Sequence, residues 1–164
     1  MGPAPPALSG DGAAYVVFTS GTTGEPAGVE GSHAALGLFL DWQRTTFHVG
    51  PGDRVPFLTG LSFDVMLRDL LLPLTSGATL CIPPEGMLAS PAALRTWLAG
   101  EAITLLHAVP SLASTWLDVA AGPDSPTAPT VPTAPLRVTF FAGEPLPGPL
   151  VTRWRSAFRS TRVV

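Results

Sequence analysis

The sequence contains no lysine: all nine of its basic residues, counting Lys and Arg together, are arginine. That absence excludes a Walker A phosphate loop, which needs Gly-Lys-Ser/Thr at its end. A single cysteine, Cys81, excludes a disulfide framework and any Cys/His metal-ligand spacing. Within its apolar run, Cys81 reads as a small buried thiol. Charged residues make up only 13%, with a net charge of −3. No basic stripe interleaved with aromatics appears, which argues against a nucleic-acid partner. No apolar run is long enough to span a membrane. The N-terminal stretch lacks the basic-then-apolar order of a secretory signal, so the default location is cytoplasmic. What is present is a chain of 164 residues, 46% hydrophobic, enough for one folded domain with a core.

One stretch organises the rest: Thr19-Ser20-Gly21-Thr22-Thr23-Gly24-Glu25-Pro26-Ala27-Gly28-Val29. Before it, Ala14-Tyr15-Val16-Val17-Phe18 reads as a buried strand. After it, Ser32 reads as the N-cap of an amphipathic helix. Strand, glycine-rich loop and helix together form a phosphate-holding arrangement, because glycines let backbone N–H groups turn toward an anion and hydroxyls add donors. A flexible Gly/Ser/Thr connector has the same composition.

Residues 1–12 read as a linker or disordered end. Helices are expected over His33–Phe47, Val65 to Pro73 or Ser76-Gly77, Ser90-capped to Leu98, Pro110 to about Ala120, and Pro147–Phe158. Strands are expected over Arg54–Thr59, Ala78–Ile82, Ile103–Ala108, Arg137–Phe141 and from Arg162. Gly122–Pro135 reads as a Pro/Thr/Ala-rich exposed loop. The alternation implies an α/β fold: a layered, largely parallel sheet flanked by helices.

Tyr15 to Pro26 resembles the phosphate-binding signature of the adenylate-forming (AMP-binding) enzyme superfamily, above all the adenylation domains of nonribosomal peptide synthetases. The resemblance continues through Leu61-Ser62-Phe63-Asp64, Pro73 to Ala78, Val109-Pro110-Ser111-Leu112 and Leu136 to Leu146, in the family's order. It implies that residues 13–164 are part of such a domain, a partial large N-terminal subdomain truncated at both ends. The family's Asn-x-Tyr-Gly-Pro-Thr-Glu motif is expected just beyond Val164. Ala27 stands where the family usually has lysine.

The resemblance implies roles residue by residue. Thr19, Ser20, Gly21, Thr22, Thr23 and Gly24 would contact ATP phosphates. Asp64 would pair with the α-amino group of an amino acid, with Val65, Arg68, His107, Phe140 and Ala142 lining the same pocket. Gly143 and Glu144 would lie near the nucleotide. From the residues alone, Asp64 reads equally as a helix N-cap, Arg68 as a salt-bridge partner, His107 as a hydrogen-bonded strand histidine, and Glu144 as a solvated loop charge. The implied reaction is ATP-dependent activation of an amino acid to an aminoacyl-adenylate and pyrophosphate, followed by transfer to a carrier protein's phosphopantetheine thiol. ATP and Mg²⁺ are the implied cofactors, with the metal ligands and catalytic lysine expected outside this chain, and the isolated chain is expected to be inactive. The alternatives are a fragment of an acyl- or aryl-CoA ligase, a non-catalytic remnant that keeps the fold, and a free-standing small nucleotide-binding domain. Asp64 argues against the ligase, whose substrate has no amine to pair.

Overall fold

The computed structural model describes residues 9–19, 24–118 and 135–164. The chain opens with a hairpin of β1 (Ala13–Thr19) and β2 (Ala27–Ser32), paired antiparallel from Ala13↔Ser32 to Thr19↔Ala27. Two expectations change here. β1 is not a buried strand: Val16 and Phe18 are 54% and 71% exposed. The loop is followed by a strand, not directly by a helix. Gly31 makes the pairing possible, since a Cβ there would stand 2.0 Å from the Tyr15 ring.

Helix α1 (His33–Thr46) starts where β2 ends, and Ser32 Oγ accepts the Ala35 N–H at 3.2 Å. The carbonyls of Gly10 and Gly12, in the stretch read as linker, accept from Ala34 and His33. Four orphan N–H groups at a helix start need such partners. Leu40, Gln43 and Phe47 form the buried stripe of α1 and the residue that ends it, while Phe39 and Trp42 stay 40% and 49% exposed.

Parallel strands alternate with helices from there. β3 (Arg54–Pro56) pairs with β4 (Thr79–Cys81), and β6 (Val138–Phe141) lies between β5 (Leu105–Ala108) and β7 (Arg162–Val163). The two ladders meet where the Thr104 N–H donates to the Arg54 carbonyl at 3.0 Å. Both faces are covered, as a parallel sheet requires. On one face α1 and α2 (Met66–Ser76) bury Leu40, Phe47, Leu72, Leu105, Val138 and Phe140. On the other, α3 (Pro91–Gly100), α4 (Pro110–Asp118) and α5 (Gly148–Ala157) enclose Leu94, Leu106, Trp116 and Trp154. The strand period of two sends Leu105 and His107 one way, Leu106 and Ala108 the other.

α2 runs through Pro73 and ends at Gly77, whose φ of 74° suits a left-handed cap that glycine accepts without strain. Ser90 Oγ accepts the Ala93 N–H, and Pro91 opens α3. The expected Gly122–Pro135 loop falls almost wholly outside the described residues, as does the end of α4's expected span at Ala120.

A staple at the opposite edge from the strand ends ties the layers together. Arg137 grips Asp53 with two bonds of 2.8 and 2.7 Å and also donates to the Phe47 carbonyl at 2.6 Å. Thr104 Oγ1 and the Gly50 N–H complete the Asp53 shell. Burial opposes ionisation of Asp53, but these donors, Arg137 first, outweigh it and hold its pKa below the ordinary carboxylate value.

Candidate functional site

The carboxyl ends of β5 and β6, the turn entering α2 and the start of α4 surround a cavity of about 570 Å³. Clefts at the carboxyl ends of parallel strands are where α/β sheets bind ligands, because the chain leaves each strand there and opens a crevice. A second concavity, of about 520 Å³, lies along α5 against Arg155 and Arg159. It is built from one helix and the turn that follows it, so no groups from distant segments converge on it.

Asp64, Val65, Arg68, His107, Phe140, Ala142, Gly143 and Glu144 all border the first cavity. They come from three segments far apart in sequence. Asp64 sits in successive turns that lead into α2: Met66 N–H donates to the Phe63 carbonyl and Leu67 N–H to that of Asp64. Its carboxylate accepts the neighbouring Val65 N–H at 2.9 Å and does not reach the first turn of α2, whose N-cap is Val65. The N-cap alternative for Asp64 is therefore overturned. Asp64 is exposed at the cavity mouth and has no ion-pair partner among the described residues.

His107 and Phe140 form the inner wall. Their rings stack at 4.7 Å with 23° between planes. Behind them lies a buried polar network that bears out the alternatives of Arg68 as a salt-bridge partner and His107 as a hydrogen-bonded strand histidine, and adds Gln43, Asp69 and Thr59, which the sequence analysis did not single out. His107 Nε2 is 3.0 Å from Gln43 Nε2, and Nδ1 is 3.1 Å from Asp69 Oδ1, the latter contact poorly aligned for a hydrogen bond. Arg68 Nε donates to Asp69 Oδ1 at 2.9 Å, and the Thr59 hydroxyl donates to Asp69 Oδ2. Burial is the largest influence on His107 and keeps its imidazole neutral, with its pKa lowered. A neutral ring that carries its proton on Nδ1 can accept from the Gln43 amide at Nε2. Burial also opposes ionisation of Asp69, yet the His107 contact, the Arg68 charge and the Thr59 hydroxyl outweigh it and hold the pKa below the usual carboxylate value. A usable signal was present in the sequence. Gln43 occupies a core position in the series Leu36, Leu40, Gln43, Phe47, and Asp69 interrupts an apolar helix. Polar residues at core positions must find partners, and such partners stand close together.

Glu144 is an exposed loop charge, and it also makes specific contacts. Its two carboxylate oxygens accept the Ser111 N–H at 3.0 Å and the Ser111 hydroxyl at 2.9 Å. It thus caps the N-terminus of α4 from another loop, where the helix dipole favours an anion. Gly143, with φ at 89°, makes the turn that brings Glu144 there.

Of the glycine-rich loop, Thr19 and Gly24 are described, and Ser20 to Thr23 lie outside the described residues. Thr19 stands opposite Ala27, at the loop end of the hairpin. The N-terminus of α1 is at the other end, a six-residue strand away, or roughly 20 Å at strand rise. The loop is thus separated from α1 by β2, contrary to the expected strand–loop–helix order. Among the described residues no three of His, Cys, Asp and Glu converge as a metal-ligand set. No helix among them is long and apolar enough to cross a membrane.

Comparison with known proteins agrees with this architecture. Residues 2–164 match the model of the AMP-binding enzyme family. Gramicidin S synthase 2 of Brevibacillus brevis is 36% identical over 140 residues, which cover 85% of this chain and 3% of the synthase. The L-proline–[L-prolyl-carrier protein] ligase of Pseudomonas fluorescens is 32% identical over 157 residues, 96% of this chain and 30% of the ligase. The AMPPNP-bound crystal structure of the nonribosomal peptide synthetase FmoA3 superimposes with a TM-score of 0.84 at 31% identity, over 99% of this chain and 16% of that one. The chain thus spans less than a third of each of these proteins. Its fold, its cavity at the strand ends and a family match over nearly its full length place it in the AMP-binding enzyme family.

Proposed function

We propose that this chain supplies the amino-acid pocket and the phosphate loop of an ATP-dependent adenylating enzyme, corresponding to part of an adenylation domain over residues 13–164. The observation that carries the reading is the convergence on one cavity of an unpaired carboxylate at the mouth, Asp64, and a mostly apolar inner wall. An α-ammonium group entering such a pocket needs a carboxylate, since an unpaired charge removed from water is costly. Asp64 fills that role and turns the substrate carboxylate outward. Val65, Phe140 and Ala142 line the side-chain space, with Arg68 and His107 as its polar points. The hydroxyls and backbone N–H groups of Thr19 to Gly24 hold the ATP phosphates, and Gly143 and Glu144 lie at the nucleotide.

The reaction is in-line displacement. A substrate carboxylate oxygen bonds to the α-phosphorus, the bond from that phosphorus to the bridging oxygen breaks, and pyrophosphate leaves. The residues of this chain bind and orient, and none acts as acid or base. Mg²⁺ would neutralise phosphate charge, and no cluster of metal ligands is gathered among the described residues. The adenylate then passes to a phosphopantetheine thiol on a carrier protein. The FmoA3 complex with AMPPNP and its complex with α-methyl-L-serine-AMP support this reading, as does the carrier named in the prolyl ligase relative.

Amino-acid-dependent ATP–pyrophosphate exchange by the intact protein tests it. Asp64→Ala is expected to lower kcat/KM on the order of 100-fold, the worth of one charge-assisted contact, with unfolding unchanged because the side chain is exposed. Exchange that survives the substitution refutes the role of Asp64. Exchange driven by fatty or aryl acids instead identifies a CoA-ligase-like activity.

A further inference from the structure

We propose that the cavity selects an amino acid whose side chain ends in a planar oxygen acceptor, a carboxylate or a carboxamide, received by the guanidinium of Arg68. This rests on the activation reading above and specifies the substrate class of the same site.

The side chain of Arg68 is only 13% exposed and is pinned through Nε to Asp69. Its two Nη nitrogens take no partner among the described residues, yet they keep solvent access at the cavity. They are donors only. Asp69 cannot serve a substrate, because its oxygens already meet Arg68, His107 and Thr59. Gln43 Oε1 is sealed from solvent. Beside Arg68 the pocket therefore offers paired donors and no free carboxylate or amide side-chain oxygen. A lysine-like side chain would find nothing there to donate to. An apolar one would strip water from the Nη groups and return no hydrogen bond, the situation that makes polar sites reject apolar analogues. A planar carboxylate or carboxamide matches the guanidinium fork.

The reach agrees. Asp64, in the turns that lead into α2, and Arg68, in its first turn, are four positions apart and both border the cavity. A substrate ammonium on Asp64 and a side-chain terminus two or three bonds beyond Cα can meet both, which selects four- and five-carbon amino acids with an acceptor terminus over longer ones.

The test is a panel of aspartate, asparagine, glutamate, glutamine and leucine in pyrophosphate exchange by the intact protein, with tryptophan fluorescence reporting binding without turnover. An acceptor-bearing acid is expected to exceed leucine in kcat/KM by roughly 10- to 100-fold, one charge-assisted hydrogen bond. Arg68→Leu should erase that ratio, and Arg68→Lys should keep part of it, mostly through KM. A preference for the acid pair over the amide pair names the carboxylate, the reverse names the carboxamide, and either supports the proposal. Preference for leucine, or an unchanged ratio in Arg68→Leu, overturns it while leaving amino-acid activation standing. No exchange with any amino acid overturns both.

Discussion

Asp69→Asn removes one negative charge from a site that organises four side chains. In the folded chain the carboxylate is 2% exposed and neighbours Arg68, His107 and Thr59. The asparagine is nearly isosteric, so packing survives while the arginine, 13% exposed, is left without its anion. Breaking a buried pair from one side costs about 3–5 kcal/mol. The amide oxygen still accepts a bond, and Arg68 keeps some water, so about 2–3 kcal/mol is expected. At this chain length each 1 kcal/mol moves the melting temperature by about 2–4 °C, which gives a fall of about 4–12 °C. Urea unfolding followed by tryptophan fluorescence reads the same loss as a lower midpoint at unchanged slope. A cycle with Arg68→Met separates the pair from its surroundings. The double variant is expected to be more stable than the sum of the single losses predicts, by at least about 1.5 kcal/mol. There is also a pH signature. Because the folded pKa of Asp69 is lowered, its contribution is present above the unfolded value near 4 and lost as pH falls through the folded one. The variant should therefore lose less stability than the wild type on acidification below pH 4. A cost under about 0.5 kcal/mol, or additive single variants, would refute the network as a structural unit.

Other expectations follow from single contacts. Leu72 is fully buried between α2 and the sheet, so Leu72→Ala should cost about 2–5 kcal/mol in urea unfolding. Glu144→Ala removes the cap that Ser111 donates to. It should cost about 0.5–2 kcal/mol and raise amide exchange in the first turn of α4 more than elsewhere. The folded pKa of Asp53 is likewise lowered, so its staple holds above about pH 4 and weakens as pH falls through the folded value. Asp53→Asn should flatten that part of the acid-unfolding profile.

Much of the fold is local information. Ser90-Pro91 and Ser32 mark helix starts because a hydroxyl cap and a proline with preset φ act within one turn. Gly77, not Pro73, ends α2, since proline removes one N–H while the left-handed cap closes the helix. Val138 to Phe141 reads as a strand from its side chains alone. The course of the chain after the glycine-rich loop did not follow from local pattern. Ala27-Gly28-Val29-Glu30-Gly31 has weak strand character, and it becomes β2 only because β1 lies alongside and Tyr15 crosses Gly31.

The site divides the same way. Motif order and chemistry marked Asp64, His107, Phe140 and Glu144 as candidates along the chain. That these residues share one cavity is decided by parallel crossovers, which carry the ends of β5 and β6 and the start of α2 to one edge of the sheet. The sequence by itself determined the alternation of strands and helices, the capping and the absence of lysine. Tertiary structure alone decided that Asp69 and Gln43 stand behind the pocket wall, that Glu144 caps α4, and that β1 is exposed. The physical reason is range: caps and periodicity act over a few residues, whereas desolvation and charge pairing depend on neighbours that only the folded chain brings together.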